Sequence, residues 1–585
     1  MIIFVIVLLV FSWLAVKASV VKSELETAKS LLPELQIAIS ENNTAGAAEA
    51  VDRMTVHTAA AREAGSDPIW SGARSLPLIG ANFAAVSEMA TAADDVTRLG
   101  AAPLAEAFQA LDWESLVPNE NGVDWKALNS QLPKVRAAAY AVRTSEERLR
   151  NMNSDGLIKE IATPLREAVE QLASIRRSLD TAADVAGVVP GMMGEERPRT
   201  YLLMVQNNAE ARASGGIPGA LAELVVENGK LSLGVQKSAS EVGIMSPVLE
   251  LDPEERQIYS TRPGKFMQDV NMTPDFPSTA ALADAMWERT TGKRVDGVIS
   301  VDPVALGYIL DATGPVAISD PSVAALSNSG LPTELSAANV VSTLLSDVYS
   351  KIEEPKLQDA YFAGVAQEIF AALTKGDGDP KKLLQGLSLG AQERRILVWS
   401  ASSEEQSSIA RYPLSGAVTG PSVAPAQFGV YFNDGTGAKM DYYVKRTVQL
   451  IKECPKDGYE QTTVRVTSTN SAPADAATSL PAYVTGDGVF GVPPGSVQTN
   501  IVAYGPVQAQ VEMAKLDGQK TEFAPYFHGN RPVGILAIRL APGESKTVDF
   551  TFGKIVQHTE PNVVVTPTVQ DVKDVTLPTE SFACG

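Results

Sequence analysis

Residues 197–216 read RPRTYLLMVQNNAEARASGG. The apolar run Tyr201-Leu202-Leu203-Met204-Val205 has the length of a buried strand, and a polar stretch ending in two glycines follows it. As strand and loop, this segment collects groups suited to a site. Asn207 and Asn208 supply amide donors and acceptors, and Glu210 supplies a carboxylate. Arg212 supplies a forked cation that fits phosphate or carboxylate, with Arg197 and Arg199 just ahead of the strand. Gly215 and Gly216 allow backbone N–H groups to approach a ligand closely. The same residues also fit an internal Glu210–Arg212 pair with the glycines merely turning the chain.

Working outward, Ala222, Leu224 and Val226 alternate up to Asn228-Gly229, and Leu231, Leu233 and Val235 alternate away from it. Asn-Gly between alternating runs predicts a hairpin, because both central residues of its tight turn need positive φ. The polar loop is therefore expected at one end of a sheet, between a buried strand and this hairpin. Further on, Ser278 is placed to cap a helix carrying Ala281, Leu282, Ala285 and Met286, with Gly292 past its end. Residues 295–301 then read as a strand, and Asp302-Pro303 as the cap and first position of another helix, stopped by Gly314-Pro315. Two amphipathic helices follow, around Val340–Val348 and Tyr361–Leu373. Alternation of this kind predicts an α/β layered domain over 196–415.

On either side the pattern changes. Residues 22–195 are rich in Ala, Leu, Glu and Gln at helical spacing, with breaks at Pro68, Pro77, Gly80, Pro103, Pro118 and Pro164, which predicts a helical stalk or bundle. Residues 416–585 show short alternating strands between turns such as Asn433-Asp434-Gly435, which predicts a β-sandwich. The fold class is thus multidomain α+β.

Residues 2–16, IIFVIVLLVFSWLAV, are nearly all apolar; continued through Val20 and Val21 they suit a transmembrane anchor over 1–21. A cleaved signal peptide is the alternative, although Val16-Lys17-Ala18 only loosely resembles a cleavage site. The 585 residues hold two cysteines, Cys454 and Cys584. The last residues of a chain are seldom ordered unless tied down, which favours a Cys454–Cys584 disulfide over two buried thiols and, with it, an oxidising compartment. The expected location is therefore the cell membrane, single-pass, with the bulk of the chain extracytoplasmic. A net charge of −20 argues against general nucleic-acid binding, which needs a basic footprint.

Phosphate-binding loops ending in Gly-Lys-Ser/Thr, His-Glu-x-x-His, a nucleophile elbow and paired-Cys motifs do not occur in the sequence. His57, His528 and His558 are scattered and do not suggest a metal centre. What remains is a set of acids and bases in the central region, among them Arg256, Arg262, Lys265, Asp269, Asp275, Asp296 and Asp302. Asp275, held by Pro274 and Pro277 ahead of the Ser278 helix, reads either as a reacting carboxylate or as support for the helix N-terminus.

Three segments, RTYLLMVQNNAEARASGG, MTPDFPSTAALADAMWERTTGKRVDGVISVDPVALGYILDATGPV and YFNDGTGAKMDYYVKR, resemble the membrane-anchored bacterial family called domain of unknown function 4012, common in actinobacteria. That family carries no assigned activity. The central region also resembles, in its order of elements, the LytR-CpsA-Psr phosphotransferases, which attach glycopolymers from polyprenyl-pyrophosphate carriers to the cell wall. Asn207, Asn208, Glu210 and Arg212 match that family's first loop, Pro274-Asp275 its second segment, and Asp296 to Val316 its third. Here Asn or Glu replaces the first-loop Asp, and no Arg lies between Pro274 and Asp275. Fewer arginines mean weaker neutralisation of a pyrophosphate.

The resemblance implies a membrane-anchored cell-envelope protein that binds a polyprenyl-phosphate lipid or cell-wall glycan and acts in glycopolymer transfer. Arg212, helped by Arg197 or Arg199, would hold phosphate oxygens. Asn207, Asn208, Gly215 and Gly216 would complete the ligand site. Glu210 or Asp275 would accept a proton or position a divalent metal such as Mg. The alternative is a non-catalytic extracytoplasmic scaffold in which the central loop is structural.

Overall fold

The computed structural model describes residues 2–41, 43–111, 122–123, 125–154, 156–319, 330–376 and 378–584, with backbone alone for 2–8, 11 and 40. The chain forms two compact units, one of residues 1–117 and 123–195, the other of 118–122 and 196–585.

The first unit is helical: α1 (Ile2–Ser30), α2 (Leu32–Ser40), α3 (Thr44–Gly65), α4 (Pro68–Ala73), α5 (Gly80–Val96), α6 (Ala102–Ala110), α7 (Trp125–Arg150) and α8 (Lys159–Met192). Its core is lined by alanines such as Ala50, Ala61, Ala85, Ala90 and Ala138, all fully buried, whose small side chains let helices approach closely. Pro68 opens α4, where its missing N–H costs nothing. Pro103 does not mark the expected break: α5 passes through a π-helical turn, Thr97–Ala101, directly into α6, and Pro103 sits inside that continuous run. Pro164 does not break the chain: it lies inside α8, where it removes only a bond to the carbonyl of exposed Glu160 in the first turns. The break expected at Pro118 lies outside the described residues.

The anchor expected over 1–21 is not a separate helix. Among the described residues no helix is long and apolar enough to cross a membrane. Helix α1 runs through residue 21 without interruption, and part of its apolar surface belongs to the bundle. Leu14 packs with Trp70, Ala73 and Phe83, and Val21 packs with Ala61, Ala64 and Ala90.

The second unit begins with β1 (Arg199–Arg212), β2 (Gly215–Glu227) and β3 (Lys230–Ser238). The β2–β3 turn is the Asn228-Gly229 hairpin, with φ of 50° and 78° at those residues. Helices α9 (Pro253–Tyr259) and α10 (Phe276–Thr291) lead to β4 (Gly297–Val301), α11 (Pro303–Thr313) and a short ladder of β5 (Val316–Ala317) with β6 (Glu334–Leu335). Two later helices, Pro355–Lys375 and Pro380–Gln392, precede β7 (Ile396–Ser400). The central sheet is mixed, in the order β3-β2-β1-β4-β7, with β1 parallel to β4 and the other pairs antiparallel. Helix α10 covers it, placing Ala280, Ala283, Met286 and Trp287 on Leu202, Met204, Leu221 and Val298.

The remaining strands are β8 (Gln427–Asp434), β9 (Val444–Lys452), β10 (Glu460–Asn470), β11 (Val497–Tyr504), β12 (Gln510–Leu516), β13 (Gln519–Thr521), β14 (Ala524–His528), β15 (Arg531–Leu540), β16 (Ser545–Ile555), β17 (Asn562–Val565) and β18 (Glu580–Ser581). They form two sheets, β13-β12-β16-β10-β9-β18 and β14-β15-β11-β8-β17. One apolar core joins the sheets, with Phe428, Val430, Phe432 and Ile501 on one side and Val448, Val464, Phe550 and Phe552 on the other. This core also contains Ala211 of β1. The sequence boundary at 415/416 thus falls within a single compact unit.

Cys454 and Cys584 form a disulfide with Cα atoms 5.5 Å apart, which holds β18 beside β9. The loop it closes spans 130 residues, for which the chain-entropy account gives a stabilisation of about 5 kcal/mol. Mass mapping without reductant is expected to find the bridged peptide. The double variant Cys454→Ser/Cys584→Ser is expected to unfold at lower urea concentration and to lose residues near 584 to protease first. Unchanged stability in that variant would contradict the assignment.

Candidate functional site

The polar stretch that reads as a loop in sequence is strand. β1 continues to Arg212 and pairs with β2 through a register shift between Asn207 and Ala211, so the candidate residues lie in a bulged strand rather than at a free sheet end. The glycines answer to this geometry. A Cβ on Gly215 would run into the Gln206 amide, and one on Gly216 into the Asn207 carbonyl. At Gly216 the close approach of the facing strand backbone requires glycine, and at Gly215 a positive φ of 141° favours it.

Each polar side chain of the bulge has an internal partner. Asn207 donates to the Tyr349 hydroxyl and accepts from Ala209 N–H at 3.0 Å. Asn208 Nδ2 donates to Asp302 Oδ2 at 3.2 Å and to the Pro567 carbonyl at 3.0 Å. Glu210 pairs with Lys439 at 3.1 Å rather than with Arg212. The ammonium of Lys439 also lies 4.7 Å from the ring centre of Tyr349 and 5.2 Å from that of Tyr483. Burial opposes the Lys439 charge, but Glu210 and the tyrosines outweigh it and hold its pKa above the ordinary value. Arg212 donates to Asp269 Oδ1 at 3.1 Å and to its own neighbour's carbonyl, and Arg262 reaches the other oxygen of Asp269 at 2.6 Å.

Asp275 is the N-cap of α10, accepting from Ser278 N–H at 3.2 Å, while its second oxygen accepts from Val418 N–H at 3.1 Å. The cap is therefore Asp275 and not Ser278; Pro277 at the second helical position fits once the helix starts at Phe276. Arg197 pairs with Asp296, and Arg199 with Glu405 at 2.6 Å and Asp296 at 3.5 Å. The structure brings Asn207, Asn208, Glu210 and Arg212 together on one bulge, while Arg197 and Arg199 sit at the opposite end of β1. Among the described residues no group of three His, Cys, Asp or Glu side chains could hold a metal ion.

Of the groups that answer the bulge, sequence reasoning named Asp269 and Asp302 and missed the rest. Arg395 is fully buried and donates to Asp302 Oδ2 at 2.8 Å, to the Thr568 carbonyl at 2.9 Å, to the Gln570 carbonyl at 2.8 Å and to Glu393 at 2.7 Å. Asp302 caps α11 through Ala305 N–H at 2.8 Å with its other oxygen. Asp441 accepts from Ala211 N–H at 2.9 Å and pairs with Arg446, whose guanidinium lies 4.5 Å from the Phe432 ring centre. Gln570 accepts from Arg446 N–H at 2.7 Å, which closes the network. Burial, and Asp441 close by, push the Asp434 carboxyl up to about 7. A signal did exist: Asp434, Lys439, Asp441 and Arg446 all lie in YFNDGTGAKMDYYVKR.

The bulge lies within a stretch that matches a sequence-family model. Residues 196–349 match the family model described as "Protein of unknown function (DUF4012)". The match covers β1 through the helix that carries Tyr349. The third segment, 431–446, lies beyond it in sequence yet pairs with it in space. No curated protein matches the chain. No solved structure matches it either.

A second buried network joins α9 to the sandwich. Glu255 accepts from Thr273 Oγ1 at 2.6 Å and faces His528 Nε2 at 3.6 Å; His528 Nδ1 meets Tyr504 OH at 2.9 Å, and Tyr504 meets Tyr259 OH at 3.1 Å. Burial, with Asp275 and Asp252 nearby, pushes Glu255 up to about 7, and burial pulls His528 below its usual range.

Two outcomes follow from these networks. Arg395→Ala leaves the Asp302 carboxylate buried without its cation, and the expected loss in urea unfolding is roughly 3–5 kcal/mol; a loss within error of zero would contradict the assigned role. Glu255 binds its proton more tightly when folded, so its stabilising contribution is full below about 4.5 and is lost as pH rises through about 7. Glu255→Gln keeps an acceptor for Thr273 without this titration. Its stability relative to the parent is therefore expected to rise between pH 4.5 and 7 and to level off above; a constant difference would contradict the shifted carboxyl.

Proposed function

We propose that the chain is a membrane-attached, extracytoplasmic scaffold of the cell envelope, in which the bulge of β1 joins the mixed sheet to the sandwich rather than binding substrate. One observation carries this reading: Glu210, Arg212 and Asp275 each have a partner within the protein, and those partners come from distant parts of the chain. A phosphate-binding Arg212 would have to give up Asp269, and its side chain is only 10% exposed. Both oxygens of Asp275 already accept a backbone N–H, which favours its charged form and fixes it as a helix cap.

The disulfide supports a location outside the reducing cytoplasm. The apolar sequence at the start of α1 supports membrane attachment. Against glycopolymer transfer, implied by the LytR-CpsA-Psr resemblance, stands the pairing of Arg212 with Asp269, and among the described residues no group of three His, Cys, Asp or Glu side chains could hold Mg. Apolar side chains exposed on the sandwich, Val489 and Phe490, offer a surface of the kind a scaffold uses.

The test is Arg212→Ala in the full-length chain, purified in detergent. Loss of its charged hydrogen bonds is expected to cost roughly 1.5–3 kcal/mol in unfolding. Polyprenyl phosphate is expected to bind neither protein saturably. Saturable binding by the parent that disappears in a stably folded variant would overturn the scaffold reading in favour of the transferase one.

A further inference from the structure

Helix α1 leaves the bundle beside the corner between α4 and α5. Among the described side chains of α1, Leu14 is the first buried one, on Trp70, Ala73 and Phe83, while Leu9, Val10 and Trp13 before it are exposed. The corner, Arg74 to Ile79, is not loose chain. Leu76 N–H donates to the Ala73 carbonyl at 3.1 Å, Ile79 N–H to the Pro77 carbonyl at 2.9 Å, and Gly80 N–H to the Leu76 carbonyl at 2.9 Å. Gly80 is obligatory, since a Cβ there would collide with the Arg74 carbonyl. Beneath it, buried Trp70 donates to the Phe83 carbonyl at 3.0 Å and fixes the corner to α5.

This rigid corner displays apolar side chains to solvent. Leu78 is 95% exposed and has φ of 70°, a backbone region unfavourable for leucine. Leu76 and Ile79 are exposed beside it in the chain, and Ile69 is exposed on α4. A folded corner that pays strain to present a bare leucine is unexpected in water. Trp13 adds an amphipathic ring, donating to Asp67 at 3.3 Å on its polar side, and Lys17 bridges to the same carboxylate at 3.6 Å.

We propose that this end of the helical unit, made of Trp13, Ile69, Leu76, Leu78 and Ile79, seats in the interfacial layer of a lipid bilayer as a collar around α1. The inference rests on the membrane-attachment reading above. Continuity decides the occupant: the same helix whose sequence begins IIFVIVLLVF runs directly into the collar, so the collar meets whatever surrounds that apolar stretch. A tryptophan with a hydrogen-bonded N–H and an adjacent lysine is the arrangement that headgroups accommodate, with the ring at the boundary and the cation reaching to water.

The test places a nitroxide at Leu78→Cys and, separately, at Leu76→Cys in the full-length chain, with Val56→Cys on α3, also exposed, as reference. The proteins are reconstituted one per nanodisc of phosphatidylglycerol and phosphatidylcholine. Collision with oxygen and with a water-soluble nickel chelate is then read by power saturation. Both collar labels are expected to be oxygen-accessible and several-fold less nickel-accessible than the label at 56. If the protein enters nanodiscs but the collar labels are as nickel-accessible as the reference, the collar is overturned while attachment stands. If the chain neither enters nanodiscs nor sediments with vesicles, both readings fall. If the labels are shielded equally in lipid-free amphipol, in particles of twice the mass, the surface meets a second copy and the lipid assignment is overturned.

Discussion

The Asp302–Arg395 pair is buried to the last atom, and an ion pair without water is tolerable only where further hydrogen bonds fill the remaining positions on both ions. That requirement cannot be met by one element. Asp302 needs the first turn of α11 and the amide of Asn208; Arg395 needs Glu393 and two carbonyls of the segment 567–570. The start of β7, the bulge of β1, the N-terminus of α11 and a strand end near the C-terminus are therefore mutually dependent. Losing any one exposes the cost of desolvating the others.

The rest of the buried polar interior repeats this logic. Arg446 and Asp441 receive the end of β1 on the sandwich side, and Gln570 links them back to the carbonyls that hold Arg395. Lys439 answers Glu210, and Asp269 stands between Arg212 and Arg262. Burial and nearby Asp441 raise the Asp434 pKa, so this carboxyl takes up a proton more readily than an ordinary one, which eases the crowding of carboxylates around it. The result is an interior in which opposite charges are matched locally. Such a region rigidifies and specifies a junction. The charged side chains of the bulge are each answered from within the protein, which is why a joining role is proposed for it.

The helical unit follows another rule. Its stability comes from close packing of alanines and from ion pairs such as those of Asp94 with Arg62 and of Glu146 with Arg176. Apolar groups lie outside its core at several places, Val56 and Tyr140 among them, and the corner beside α1 carries Leu76, Leu78 and Ile79 within four residues. Attachment to a membrane is thereby proposed for a fixed surface as well as for an apolar helix.

What the sequence determined by itself was whatever depends on neighbours along the chain. The Asn228-Gly229 hairpin, the Asp302-Pro303 helix start, the Gly292 stop and the alternation of the late strands are legible because turn chemistry and side-chain periodicity are local. The cysteine pairing was legible because two cysteines allow one intrachain bridge. Only the tertiary structure decided what the candidate site residues do. Glu210 and Arg212, two residues apart, fit a mutual pair on paper. The bulge points them to Lys439 and Asp269, which lie 229 and 57 residues away. A charge in a sequence carries no mark of its partner; long-range burial chooses it, because each ion removed from water must find the nearest group able to neutralise it.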